Sequence, residues 1–175
     1  QPLTSDLPKP LIPVAGKSLL DRTLALADAG GITKTVVNTH YLGDKIAKHL
    51  ENDPVQVLHE SNILDTGGGL KNASAVFDGP VVFTSNSDAI WSGPNPFSYL
   101  FQNWQDTCDA LLLCAPVSQV TGRAAPGDFT ISQDGMVQRG GDFVYLGVQI
   151  IRLDTVRHIR EQRFSLNIVW DELMA

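Results

Sequence analysis

The chain is poor in positive charge: 13 lysines and arginines stand against 19 aspartates and glutamates, a formal charge of −6. A field of that sign repels a phosphate backbone, so polymeric nucleic acid is excluded as an expected partner. Cysteine is nearly absent, with only Cys108 and Cys114, and neither belongs to a CxxC pair. Two such thiols build neither a disulfide framework nor a zinc site, and they point to a reducing compartment. No apolar run reaches the roughly 18 residues that cross a bilayer, and the first residues are polar and proline-rich rather than a basic-plus-apolar leader. The expected location is cytoplasmic, without a membrane partner.

Several catalytic signatures are missing too. There is no GxSxG elbow, no HExxH, no GxGxxG and no GxxxxGK[ST], and His40, His49, His59 and His158 are not at zinc-ligand spacing. A conventional dinucleotide oxidoreductase and a P-loop ATPase are thereby disfavoured.

What is present is a chain of 175 residues, 43% of them hydrophobic, enough for one domain with a real core. Ser18 and Asp21 have capping spacing, and Leu19, Leu20, Leu24, Ala27 and Ala29 recur at helical intervals until Gly30 and Gly31. Thr33 to Thr39 reads as a buried strand with Asn38 and His40 at its end, Leu42, Ile46 and Leu50 mark a second helix, and Val55 to Leu58 and Val81 to Thr84 are further strands. This alternation predicts an α/β fold, a three-layer nucleotide-binding arrangement on a mostly parallel central sheet whose ligands bind at the carboxyl ends of the strands.

Phe97, Leu100, Phe101 and Trp104 predict a helix opened by Pro96 that turns an aromatic stripe to the core. Asp109 to Val117 reads as a long strand. Beyond Pro116 the pattern becomes two-sided, over Asp128 to Ser132, Met136 to Gln138 and Phe143 to Ile151, which predicts an antiparallel excursion over the ligand edge. Asp154 and Ser165 or Asn167 are read as starts of the last two helices.

Leu58 to Lys71, LHESNILDTGGGLK, is the stretch the other segments converge on. Gly67, Gly68 and Gly69 have no side chains to hold a ligand off the backbone, and they open into a helical pattern from Leu70 to Phe77 that Asp65 or Thr66 could cap. A nucleotide-binding turn is the functional reading; a plain helix start is the structural one. Lys9, fixed between Pro8 and Pro10, can carry an ammonium to an anionic ligand or be an ordinary solvated charge. Asp88, two residues past Asn86 at a strand end, supplies the hard oxygen that Mg²⁺ accepts beside substrate phosphates, or caps a loop.

In order along the chain, PKPL at Pro8 to Leu11, VVNTHYLGDKI at Val36 to Ile46, DTGGGLKNA at Asp65 to Ala73, NSDAIW at Asn86 to Trp91 and VYLGVQII at Val144 to Ile151 resemble the sugar-1-phosphate nucleotidyltransferases. SGPNP, GDF and FSLNIVWDEL are most similar to the branch that acts on N-acetylmuramate 1-phosphate with UTP in bacterial peptidoglycan recycling, with mannose-1-phosphate guanylyltransferases the alternative. The resemblance implies transfer of UMP from UTP to a sugar 1-phosphate with release of pyrophosphate, with Mg²⁺ as cofactor. It implies that Lys9 binds and polarises the reacting phosphates, that Asp88 ligates the metal, and that Glu60, Gly67, Gly68, Gly69 and Asn86 line the nucleotide. Asp128, Gly147 and Asn167 match the sugar side. It further implies one domain over residues 1–175, with the family's first glycine-rich loop before Gln1 and a completing aspartate after Ala175. A chain without them is expected to turn over little. A noncatalytic nucleotide-sugar sensor on the same fold is the rival class, and monomer and homodimer are both expected states.

Overall fold

Ser18 opens the first long helix. Its hydroxyl accepts the amide hydrogen of Asp21 at 2.9 Å, and the Asp21 carboxylate accepts the amide of Ser18 at 3.3 Å, which satisfies two donors that a helix start leaves free. The helix, α1, runs Leu19–Ala29 and stops at Gly30, as its pattern predicts. The structure is a computed structural model and describes residues 4–123 and 125–175.

Ahead of α1, β1 (Pro13–Val14) and β2 (Lys17–Ser18) form a small antiparallel ribbon. After it come β3 (Thr35–Thr39), α2 (Gly43–His49) and β4 (Val55–His59). β3 and β4 pair in parallel, with Asn38 opposite Leu58 and Thr39 opposite His59. Then follow α3 (Asp65–Ala73), β5 (Val81–Ser85), α4 (Pro96–Asn103) and β6 (Ala110–Pro116). β7 (Phe129–Ile131), β8 (Val137–Arg139), β9 (Phe143–Arg152), α5 (Asp154–Arg157) and α6 (Leu166–Met174) complete the chain.

The α/β class holds, with mixed sheets. Among the described residues β3–β4 is the parallel ladder, while the sheet of β5, β6, β7, β8 and β9 is antiparallel at each of its pairings. The reason is β9. Its ten residues return between β5 and β6 and pair with both, so Ile150 lies opposite Phe83 on one side and Leu111 on the other. The parallel part of the sheet is therefore narrower than the alternation of strand and helix suggests.

The core lies on both faces of β9. Ile151, Leu153, Val156 and Val169 pack on one side with α5 and α6, and Val148 and Ile150 pack against Phe97 and Leu100 of α4 on the other. Leu20, Ile46 and Leu50 make a separate, smaller cluster between α1 and α2. Among the buried polar residues Gln149 is the most deeply covered; it donates to Thr84 Oγ1 at 3.2 Å and accepts from Trp170 Nε1 at 3.0 Å. Both ends of its carboxamide are thus satisfied.

Two local expectations change. The three glycines do not precede α3 but lie within it, because the helix begins at Asp65 and closes at Ala73 before a 3₁₀ turn over Ser74–Val76. Neither Asp65 nor Thr66 caps it; Leu64 is the cap position, and Asp65 accepts the neighbouring Thr66 amide at 2.6 Å from a backbone at φ +63°. On α4, Phe97 and Leu100 are buried but Phe101 is 69% exposed, so the aromatic stripe is narrower than its spacing suggests.

Candidate active site

Pro8 and Pro10 hold Lys9 in a single 3₁₀ turn over Lys9–Leu11. From there its Nζ donates to Asp88 Oδ2 at 2.6 Å, closing a contact between positions 79 apart in the chain. The pair is open to solvent, with 60% of the lysine and 39% of the aspartate side chain exposed, so water screens it strongly.

A second polar pair stands at the ends of β3 and β4. The parallel register brings the Glu60 amide to Thr39 O at 2.7 Å, and Asn38 Nδ2 then donates to Glu60 Oε1 at 3.0 Å. His40 Nδ1 lies 2.6 Å from Glu60 O, and because a carbonyl only accepts, that nitrogen carries the hydrogen. Gly69 faces this pair: a Cβ there would lie 2.9 Å from both Asn38 Nδ2 and Glu60 Oε1. Asn38 was legible only as a polar residue ending a β-branched strand, and its partnership with Glu60 depends on the β3–β4 register.

The other two glycines serve packing. A Cβ on Gly67 would fall 2.4 Å from the Phe164 ring, and one on Gly68 would fall 2.1 Å from Gln162 O. Their amides donate to Phe164 O at 2.9 and 3.0 Å, so those donors are already engaged within the protein. Gly69 is the member of the trio that borders polar side chains.

On the expected sugar side the residues are placed but occupied. Gly147, at φ +81°, leaves space filled by Asn86, whose Nδ2 would be 2.9 Å from an added Cβ and whose amide donates to Gly147 O at 2.8 Å. Asp128 accepts the Tyr145 amide at 3.0 Å and pairs with Arg123. Asn167 stands in the first turn of α6, where Ser165 Oγ accepts its amide at 3.2 Å. Asn86 and Asn167 line, with Asn38 and Thr66, a cavity of about 930 Å³. Lys9, Asp88, Glu60 and Asp128 lie outside its walls.

Two ionisable groups, Cys114 and the cavity-lining Tyr145, stay neutral at physiological pH. Burial, aided by the charge of Asp128, pushes the Cys114 thiol up to about 11, and burial pushes the Tyr145 hydroxyl above its ordinary value. Cys114 is therefore not a thiolate nucleophile.

MobA-like NTP transferase domains match residues 4–126 of the chain. The N-acetylmuramate alpha-1-phosphate uridylyltransferase of Caulobacter vibrioides is 32% identical over all of this chain and 79% of its own length. The chain belongs to this nucleotidyltransferase family. It is an enzyme of the sugar-1-phosphate nucleotidyltransferase kind. The protein of the same name from Neisseria meningitidis serogroup B is 26% identical, across 87% of this nucleotidyltransferase and 69% of its own length.

The nucleotidyltransferase shares its fold with HddC from Yersinia pseudotuberculosis complexed with GMP-PN, at a TM-score of 0.73 and 19% identity over 92% of this chain and 74% of that one. The inositol-1-phosphate CTP transferase from T. maritima gives 0.74 and 15% over 98% and 74%. Among the described residues no three histidines, cysteines or acids converge as a metal cage, and no helix is long and apolar enough to cross a membrane. Asp88 fits Mg²⁺ as a single carboxylate that shares the ion with substrate phosphates, a usual arrangement for that cation.

Proposed function

We propose that the enzyme transfers UMP from UTP to N-acetylmuramate 1-phosphate, giving UDP-N-acetylmuramate and pyrophosphate, as part of cytoplasmic peptidoglycan recycling. The observation that carries the choice is extent. Similarity to the Caulobacter uridylyltransferase runs through all of this chain, including the segments that follow β6, whereas the mannose-1-phosphate guanylyltransferase of Mycobacterium tuberculosis aligns with 51% of it.

In this reading a phosphate oxygen of the sugar 1-phosphate attacks the α-phosphorus of UTP. The new P–O bond forms as the bond to the β-phosphate oxygen breaks, and the electron pair leaves with pyrophosphate. Little proton transfer is needed, so positioning and charge stabilisation carry the rate. Lys9 releases Asp88 and donates to the reacting phosphates, where a cation gains most as charge spreads in the transition state. Asp88 would hold Mg²⁺, which would supply charge neutralisation across the transferring group. Glu60, held by Asn38, and the adjoining Gly69 face the base and ribose; Gly67 and Gly68 shape that wall through their packing on Phe164. Asn86 borders the phosphates, and Asp128, Gly147 and Asn167 form the sugar side.

The test is pyrophosphate release with Mg²⁺, crossing UTP and GTP against N-acetylmuramate 1-phosphate and mannose 1-phosphate. Release confined to UTP with the muramate sugar is expected. Release with GTP and mannose 1-phosphate instead would overturn the substrate assignment, and ligand binding without turnover by any pair would favour the sensor.

A further inference from the structure

The first turn of α6 is held from two directions. On the side of α3, Thr66 Oγ1 accepts the Leu166 amide at 3.0 Å, and Phe164 O, just before the helix, accepts the amides of Gly67 and Gly68. On the other side stands Arg139, the last residue of β8. Its Nη2 donates to Asn167 O at 3.1 Å, and its Nε donates to Asp171 Oδ1 at 2.7 Å, about one turn further along the helix. A guanidinium is planar and its donors leave it in fixed directions, so two bonds from one fork set both the height and the rotation of the turn they hold.

The register of β7 and β8 explains how an arginine is kept there. Arg139 lies opposite Phe129 in the ladder, and Phe129 is fully buried. The guanidinium carbon sits over two rings, 5.1 Å from the centre of Phe129 and 5.6 Å from that of Trp170. Trp170 is itself fixed, edge-on to Phe129 and Tyr145 and donating to Gln149. Ring faces attract a guanidinium and restrict its rotamers. The ion pair with Asp171 adds little to stability, because 38% of the arginine and 59% of the aspartate side chain are exposed and water screens them. What four contacts on one side chain supply is placement.

We infer that Arg139 is a positioning residue for Asn167: it lies outside the cavity wall and fixes, through the bond to Asn167 O, where that asparagine presents its side chain. The inference rests on the reading that puts Asn167 at the sugar. Ser165 Oγ accepts both the Asn167 amide and its Nδ2, each at 3.2 Å, while Oδ1 takes no hydrogen bond among the described residues. With the backbone held by Arg139 and the side-chain nitrogen by Ser165, Oδ1 is a pre-set acceptor on a residue that lines the cavity. A sugar hydroxyl is the donor that suits it. The antiparallel excursion thus acts on the sugar through α6, without touching it.

The test is steady-state pyrophosphate release from UTP and N-acetylmuramate 1-phosphate by a set of variants. Arg139→Met keeps a stem over the two rings and removes the fork. It should raise the KM for the sugar phosphate about tenfold, the size of one hydrogen bond from a charged donor, and move the KM for UTP less than about twofold. Arg139→Lys, with a charge but no fork, should recover part of the loss, and Asp171→Asn, which leaves the bond to Asn167 O, should stay near the parent. In an Asn167→Ala background the Arg139→Met change should add nothing, the sign of one residue acting through the other. Additive losses, equal rises in both KM values, or an Asp171→Asn variant as impaired as Arg139→Met would overturn the inference. Impaired Asn167→Ala beside unimpaired Arg139→Met would sink it alone, whereas Asn167→Ala with the parent's sugar KM would sink the sugar-side reading and the inference with it. The side-chain amide resonances of Asn167 give a second readout that needs no turnover. They should broaden in Arg139→Met as the carboxamide leaves its single setting, and unchanged signals there would overturn the inference.

Discussion

The β9 sheet and the β3–β4 pair differ in how firmly they are held. In β9, Val148, Gln149, Ile150 and Ile151 are at most 2% exposed, whereas Thr39 is the one buried residue in the parallel pair. The candidate site spans this difference. Asn86 and Asp88 follow β5, which is laddered to β9 over five residue pairs, while Asn38 and Glu60 sit at the ends of the looser strands. On the proposed roles, the phosphate end would rest on the more buried support and the base end on the less buried one, a division suited to chemistry that tolerates little displacement beside recognition that tolerates more.

The largest expected effect breaks the chemistry alone. Asp88→Ala should lower pyrophosphate release by about a hundredfold to a thousandfold, the size of losing one charge-stabilising group. Its thermal midpoint should stay near that of the parent, because the Lys9–Asp88 pair is solvent-exposed; a large drop would mean that the pair is structural.

Next comes the packing contrast itself. Ile151→Ala should cost about 3 kcal/mol in urea unfolding and Val57→Ala about 1 kcal/mol, since the first empties a filled core position and the second a half-covered one. Equal losses would erase the distinction between the two regions.

The glycines sharpen it further. Gly68→Ala sets a methyl against a backbone carbonyl and should destabilise the fold, whereas Gly69→Ala meets only side-chain ends that can move. Gly69→Ala should keep the stability, helped by better helix propensity, and raise the KM for the nucleotide with a smaller change in kcat.

The smallest effect is one of pH. Burial raises the Asp21 carboxyl, but hydrogen bonds from His49 and Ser18 outweigh it and leave the group below its ordinary 3.8. A folded value below the unfolded one gives stability that is present above 3.8 and lost as pH falls through that range. Asp21→Asn should therefore flatten the acid limb of a melting-temperature profile and leave the neutral limb lower by a small, constant amount.

These contrasts also mark what the sequence could disclose. The α1 start was legible because Ser18 and Asp21 are three residues apart and satisfy each other locally. The α3 start was not, because Gly67 and Gly68 are tolerated inside a helix only on account of Phe164 and Gln162, far along the chain. Lys9 and Asp88 were each readable as candidates, but their contact depends on β5 delivering the loop that follows it. Asn38 was hidden by the same kind of dependence, since its meaning comes from the strand beside it.

Gln149 has a role beyond filling the core. Its carboxamide bonds Thr84 on one side and Trp170 on the other, so it acts as a key cut for one alignment of β5 on β9. Were β5 to slip so that Phe83 took the place of Thr84, the amide hydrogen now given to the threonine hydroxyl would be stranded without water, at a cost of about 1–3 kcal/mol. Thr84 lies four positions before Asp88. The key therefore times the arrival of the loop that carries Asp88 as well as the strand, and it ties both to the helix that carries Asn167.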